Sequence, residues 1–119
     1  MKRLYRKIKK IKKQKKSIHE RTVSDLENRL LFDNFDYSRI ITHKEYCFGN
    51  FNQSHLDGEI DVLAMKGKYR LVFEVKSTNH PKSYCKARKQ LERARRLYEN
   101  EGFRVFTFYV TPKQMRWLK

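Results

Sequence analysis

The stretch that decides the fold is "GEIDVLAMKGKYRLVFEVKS", residues 58–77. Its aliphatic and aromatic residues are typical of two buried strands, and "KGK" at 66–68 joins them as a hairpin turn. Asp61, Glu74 and Lys76 interrupt this apolar pattern. An ionised carboxylate in a core is costly unless a partner replaces its lost hydration, and a bound cation is the usual partner. The hairpin is therefore predicted to hold a site as well as part of the core.

The turn sets the register of this hairpin. With a two-residue turn at 67–68, in which glycine supplies the positive φ, Lys66 pairs with Tyr69. Counting back along both strands pairs Asp61 with Glu74, with their Cβ atoms about 5 Å apart. Like charges opposed in this way destabilise a sheet, and a divalent cation between them reverses that effect.

Strand periodicity predicts which side chains share a face of the second strand. Glu74 and Lys76 lie two residues apart and point to one face, while the apolar residues at 71, 73 and 75 point to the other. The same register places Glu59 across from Lys76. That pair is either a plain cross-strand ion pair or part of the site.

The remaining periodicity predicts one α/β domain over residues 17–119. Helices are predicted over about 17–34 and over 83–101, the second closed by Gly102. Strands are predicted over 37–48, 59–65, 69–76 and 104–110, with a polar loop at 49–58 and a short terminal turn in 111–119. The order is α-β-β-β-α-β, which indicates a mixed sheet flanked by helices.

The charge balance indicates a polyanionic partner, with nucleic acid first. The chain has 29 Lys and Arg against 13 Asp and Glu, a formal charge of +16. Residues 1–16 contain ten of the basic residues and no acid, and form a basic N-terminal arm. Basic residues of the arm and of one stripe on the second helix are expected to contact DNA: Lys7, Lys10, Lys13, Lys86, Lys89, Arg93 and Arg96.

The cysteine content and the distribution of apolar residues bear on the cellular compartment. Cys47 and Cys85 are too few for a disulfide framework and are interpreted as free thiols in a reducing cytosol. No apolar run reaches transmembrane length, and the N-terminus lacks the apolar core of a secretory signal. The sequence therefore predicts a cytoplasmic protein, or one associated with nucleoid or viral DNA, that does not span a membrane. An arm helix lying on an anionic membrane surface is the weaker alternative.

The motif "GEID", followed after twelve residues by "EVK", resembles the PD-(D/E)XK nuclease superfamily. The predicted element order agrees with that family, although Ile60 stands where many members have proline. The small size and the "EVKST…Q…L" continuation resemble archaeal-type Holliday junction resolvases. The resemblance implies a restriction-endonuclease-like fold and a Mg²⁺-dependent endodeoxyribonuclease that selects DNA by structure.

The resemblance also implies roles for the hairpin residues. Asp61, Glu74 and the backbone carbonyl of Val75 would bind Mg²⁺, with Mn²⁺ as a substitute, through hard oxygen ligands. The metal would activate a water and polarise the phosphate. Lys76 would orient that water or stabilise charge on the phosphorus.

A glutamate of the first helix completes the site in many members of the superfamily. Glu27, in "DLENRLL", is the best match, and Glu20 is the second candidate. Glu59 and Gln90 are further, weaker candidates, the latter because related nucleases often have a glutamine on the second helix. Four histidines, at 19, 43, 55 and 80, show no zinc-ligand spacing and are interpreted as surface residues.

Junction cleavage needs two symmetric cuts and so predicts a C2 homodimer. Strand 106–110, or Met115, Trp117 and Leu118, would supply an apolar dimer surface. A nicking or end-processing nuclease is the nearest alternative. An inactive nucleic-acid-binding module of the same fold is another alternative. Opposed carboxylates would repel the phosphates that such a module binds, which argues against it. No feature distinguishes DNA from RNA.

Overall fold

The structure, a computed structural model, describes residues 17–32, 36–46 and 58–119. Within these ranges the chain forms two helices and five strands. In order they are α1 (Ile18–Leu31), β1 (Arg39–Tyr46), β2 (Gly58–Lys66), β3 (Tyr69–Val75), α2 (Pro81–Asn100), β4 (Arg104–Thr111) and β5 (Gln114–Trp117). The predicted α-β-β-β-α-β order is confirmed, with one strand added at the C-terminus.

The five strands form one mixed sheet in the order β1-β2-β3-β4-β5. All neighbours are antiparallel except β3 and β4, which are parallel. Parallel neighbours need a crossover connection, and α2 supplies it. The first turns of α2 therefore lie near the C-terminal end of β3, where the motif residues are.

The predicted register of the hairpin is confirmed. Lys66 pairs with Tyr69 and Val62 pairs with Phe73, and Gly67 has a φ of 54°. Gly58, the first residue of "GEID", pairs with Tyr46 of β1. The ring of Tyr46 lies where a Cβ on Gly58 would be, so this position requires glycine.

α1 covers one face of the sheet near β2 and β3. Its buried residues Val23, Leu26 and Leu30 pack against Val62 and Phe73. Helical spacing in the sequence predicts an apolar stripe of Val23, Leu26, Leu30 and Leu31, and the first three are buried. Leu31, expected in the stripe, is 62% exposed because the buried face ends one residue earlier.

α2 covers the opposite face, so the sheet lies between the two helices. Its buried stripe includes Leu91, Ala94 and Tyr98, which pack in one cluster with Leu63 and Val72. Helical spacing in the sequence predicts an apolar stripe of Tyr84, Ala87, Leu91, Ala94 and Tyr98 on this helix, and all but the half-buried Tyr84 are buried. Successive residues of β3, such as Val72 and Phe73, belong to different clusters, as the two-residue period of a strand requires.

The expectation of a short turn in residues 111–119 is wrong. Gln114–Trp117 form a fifth strand, which pairs with β4 across a two-residue turn at Pro112 and Lys113. The pairing continues past Trp117, since the Leu118 N–H donates to the Thr107 carbonyl at 2.9 Å. Four residues of alternating polarity give only a weak strand signal, which explains the error.

Candidate active site at the open end of the hairpin

Regular pairing of β2 and β3 ends where the two carboxylates lie. The last regular pair is Val62 with Phe73. Beyond it the Asp61 carboxylate, through Oδ2, accepts the Val75 N–H at 2.8 Å. Asp61 and Glu74 are only 6% and 4% exposed. The predicted pair of opposed carboxylates is therefore buried at the end of the hairpin.

The strand alternation of β2 breaks at Asp61. Ile60 and Leu63, three residues apart, both pack in the α2 cluster, whereas Val62 packs in the α1 cluster. On β1 the facing residue is His43, which has a φ of 54°. Positive φ is uncommon outside glycine, and such backbone states cluster at functional sites. Both strands are thus irregular at the same level of the sheet.

Glu74 is protonated at neutral pH in the absence of a cation. Its pKa is raised to about 9, chiefly by burial and then by the charge of Asp61 and a hydrogen bond with it, while Lys76 acts in the opposite direction. The Lys76 Nζ lies 3.6 Å from Glu74 Oε1 and is half-buried. Glu74 therefore holds a proton beside the Asp61 carboxylate and one ammonium group.

The first turn of α1 brings two polar residues to this site. Ser17 caps the helix, because its Oγ accepts the Glu20 N–H at 3.1 Å. His19 Nε2 lies 3.4 Å from Asp61 Oδ2, and His19 Nδ1 lies 3.7 Å from Glu20 Oε1. The cap sets where the helix begins, and so which residues face Asp61.

His43 connects β1 and β2 to the same group. Its Nδ1 lies 2.9 Å from Glu59 Oε1, and its Nε2 lies 3.5 Å from Glu20 Oε2. The hydrogen bond to Glu59 is the main cause that raises the pKa of His43. Ligand atoms of His43, Glu59 and Asp61 all lie within 4.8 Å of one another, close enough to share one cation.

The donor atoms fit a hard divalent cation at two adjoining positions. Carboxylate oxygens of Asp61 and Glu74 are the ligands that Mg²⁺ and Mn²⁺ take in proteins. The second position, at Asp61, Glu59 and His43, adds an imidazole to two carboxylates. Asp61 belongs to both positions. A cation at the first position would favour the ionised form of Glu74, whose pKa burial raises.

The structure places Glu20, and not Glu27, at the level of the site. Glu27 is seven residues, and therefore about 10 Å, further along α1. Glu59 contacts His43 instead of Lys76, the partner that the extended register predicted, because regular pairing stops at Asp61. The role of Glu27 as a ligand stays a prediction.

Gln90 lies on the face of α2 that packs on the sheet, next to the buried Leu91. Its Oε1 atom is buried and lacks a hydrogen-bond partner among the described residues. Such orphaned acceptors are rare in native proteins and call for a physical explanation. Val72, in the same cluster as Leu91, shares its face of β3 with Glu74. Gln90 therefore covers the sheet face to which Glu74 belongs.

The basic stripe predicted on α2 is solvent-exposed. Its members are Lys86, Lys89, Arg93 and Arg96. They lie on the side of the helix away from Ala87 and Leu91, which face the sheet. Lys7, Lys10 and Lys13 lie outside the described residues.

His19 and His43 are the site residues that the sequence did not reveal. Their separation of 24 positions matches no metal motif, and their contacts to Asp61 and Glu59 depend on tertiary packing. One signal was available for His19: its position directly after the capping serine, Ser17, fixes it in the first turn of the helix.

Three findings bear on the class of protein. Neither helix in the described part of the chain is long and apolar enough to cross a membrane. Cys85 is an exposed free cysteine, and Cys47 lies outside the described residues. A comparison with protein-family models and with curated proteins found no match to this chain.

Proposed function

We propose that this chain is a Mg²⁺-dependent endodeoxyribonuclease of the PD-(D/E)XK type, with a restriction-endonuclease-like fold. One observation carries the proposal. Asp61 and Glu74 are buried against each other with the Lys76 ammonium 3.6 Å from Glu74, in a chain with a formal charge of +16. Two buried acids this close keep one of them protonated at neutral pH, and a bound cation is what allows both to ionise.

Asp61 and Glu74 would hold the cation, and the proton on Glu74 would leave as it binds. Bound Mg²⁺ or Mn²⁺ supplies Lewis acidity toward a phosphate oxygen and toward water. His43 and Glu59 support a second cation position, where the imidazole favours Mn²⁺ over Mg²⁺.

The reaction is hydrolysis of one phosphodiester bond. A water oxygen bonds to phosphorus, the bond from phosphorus to a sugar oxygen breaks, and that sugar oxygen takes up a proton. Lys76 stabilises the negative charge that develops on the phosphoryl oxygens. His19 and His43, within 3.4–3.5 Å of acidic side chains, are able to accept the proton that the water loses.

Branched DNA is the proposed substrate, recognised by its shape. The exposed stripe of α2 binds backbone phosphates, which carry no sequence information. Four-way junction cleavage is the leading specific activity, and it requires a C2 homodimer to make two symmetric cuts. Nicking or end processing is the alternative activity. A catalytically inactive binding module is the alternative class.

A cleavage panel tests this proposal. Four-way junction, flap, single strand and linear duplex are each incubated with the full chain in Mg²⁺ and in EDTA. We expect cutting of at least one branched substrate in Mg²⁺ and none in EDTA. Binding of all four substrates with no cleavage in Mg²⁺ or Mn²⁺ would leave only the inactive binding module.

A matched pair of variants tests which helix residue completes the site. We expect Glu20→Gln to lower metal-dependent cleavage at least tenfold, because Glu20 contacts both His19 and His43. Glu27→Gln is expected to have a small effect, since about 10 Å separates it from Glu20 along the helix. Single-turnover rates on one branched substrate give the comparison. A larger loss in Glu27→Gln would assign the ligand to Glu27, as the sequence resemblance implied.

A further inference from the structure

Within residues 17–32, 36–46 and 58–119, nothing covers part of the sheet face that carries α1. α1 packs on β2 and β3, and β4 and β5 extend beyond it. Trp117 is 64% exposed, Tyr69 is 41% exposed and Met115 is 39% exposed. Exposed large apolar residues grouped in this way mark a surface that binds something.

The uncovered face is lined by aromatic rings in contact with one another. The half-buried Phe108 stacks at 4.7 Å on Phe73, which α1 covers. The Tyr69 and Phe106 rings lie 5.8 Å apart, and the Phe106 and Trp117 rings lie 6.5 Å apart. Tyr69, Phe106 and Phe108 line a groove of about 1320 Å³ at the turn end of the hairpin, and Trp117 lies at its edge in contact with Phe106. We call it the aromatic groove.

The rim of the aromatic groove is positively charged. Arg29, Lys66, Lys68 and Arg104 line it, and among the residues that the structure describes no acidic side chain lines the groove. A binding partner that combines flat apolar groups with negative charge complements this surface. Unpaired nucleic acid has that combination, with bases that stack on aromatic rings and phosphates that pair with cations.

We propose that the aromatic groove binds an unpaired nucleic-acid strand, with its bases on the rings and its phosphates on the rim. This inference rests on the proposed function, because it takes nucleic acid as the partner. It restricts the proposed nuclease substrate to DNA that has a single-stranded segment. The groove is distinct from the candidate active site. Tyr69 and Glu74 are five residues apart on β3, a separation of about 17 Å along the strand.

The charge of the rim argues against a homodimer interface at this face. A C2 interface brings the same patch of both subunits together, so each rim cation would meet a partner rim that is also positive. Leu118, predicted to belong to a dimer surface with Trp117, instead packs on the α2 side of the sheet. A concave groove also suits a strand better than a membrane surface, which amphipathic helices meet with a protruding apolar face.

The experiment uses the one tryptophan of the chain, Trp117, as a reporter. Its fluorescence is recorded while oligothymidylate is added to the full chain in EDTA, so cleavage plays no part. We expect saturable quenching, because a base stacks beside the indole. An abasic oligomer of equal length is expected to bind without comparable quenching. Equal quenching by the abasic oligomer would overturn the proposal.

Variants separate stacking from general charge attraction. Tyr69→Ala is expected to weaken oligothymidylate binding about tenfold, since each stacked base contributes on that order. Phe32→Ala is the control, because Phe32 is an aromatic residue that is 88% exposed and does not line the groove. Lys68→Ala should lower the slope of log affinity against log salt by about 0.7. Equal affinity for wild type and Tyr69→Ala, with folding confirmed by circular dichroism, would contradict the proposal.

Two further outcomes would assign the groove to another occupant. A concentration-dependent blue shift of Trp117 emission, with dimers in sedimentation and no response to oligothymidylate, would assign it to a second copy of the chain. The same shift with vesicles containing phosphatidylserine, again without an oligothymidylate response, would assign it to lipid. Loss of cleavage in the substrate panel with oligothymidylate quenching intact would refute the nuclease and leave the groove as proposed.

Discussion

Asp61→Asn is expected to abolish metal-dependent cleavage while leaving the metal-free protein at least as stable as wild type. Asparagine has the volume of aspartate, and its Oδ1 still accepts the buried Val75 N–H, which Asp61 holds at 2.8 Å. Its amide group also donates to Glu74. The substitution removes the buried negative charge of Asp61, whose lost hydration no cation replaces in the metal-free protein. A neutral amide is a poor Mg²⁺ ligand, so activity should be lost.

Thermal melts with and without Mg²⁺ provide a measurement that does not depend on activity. Mg²⁺ should raise the wild-type melting temperature by mass action and leave that of Asp61→Asn nearly unchanged. Asp61→Ala is the matched control. It leaves the buried Val75 N–H without its acceptor, at a cost of about 1–3 kcal/mol, so this variant should melt lower in EDTA.

The opposite pattern would count heavily against the nuclease proposal. If Asp61 serves only to hold the end of β3, the asparagine variant should still cut DNA and show no difference from wild type in its response to Mg²⁺. A melting temperature well below wild type in EDTA would show that the charge of Asp61 stabilises the fold. Either result would remove Asp61 from the cation site.

The hairpin was predictable because local chemistry determines it. Gly67, with its φ of 54°, selects a two-residue turn, and that turn fixes every later pair of β2 and β3. The same counting predicted Asp61 opposite Glu74, but the regular pairs end at Val62 and Phe73, and the two acids lie just beyond them. The buried stripes of α1 and α2 followed from helical spacing for the same reason, since each residue's face depends only on its neighbours in sequence.

The parts that were missed depend on contacts between distant segments. His43 adopts its positive φ at the level where β2 loses its alternation, and no pattern within β1 alone indicates this. The predicted pairing of Glu59 with Lys76 is wrong. The side chain of Asp61 accepts the Val75 N–H, and the regular pairing of β2 with β3 stops there. The choice between Glu20 and Glu27 depends on how far α1 is shifted along the sheet. The packing of α1 on the sheet determines this shift, and the hydrophobic periodicity of the sequence carries no information about it.

The second prediction with a large effect concerns the proton on Glu74. Its pKa is raised from 4.5 to about 9, chiefly by burial, so between these values the folded protein holds a proton that the unfolded chain has lost. Metal-free stability should therefore fall as the pH rises through this window. Glu74→Gln carries no titrating proton at this position. We expect the pH dependence of its melting temperature in EDTA to be weaker than that of wild type.

The same proton should compete with the cation. Mg²⁺ must displace it from Glu74, so apparent affinity should rise up to about 30-fold between about pH 7 and about pH 8.5. The affinity is read from the melting temperature as a function of Mg²⁺ concentration. The pKa of His43 is also raised, by its hydrogen bond to Glu59, so His43→Asn, which retains Glu74, is the control. A pH dependence of Mg²⁺ affinity that His43→Asn retains is assigned to Glu74. An affinity for Mg²⁺ that is equal at both pH values in wild type would show that Glu74 is already ionised in the folded protein, or that it does not bind the cation.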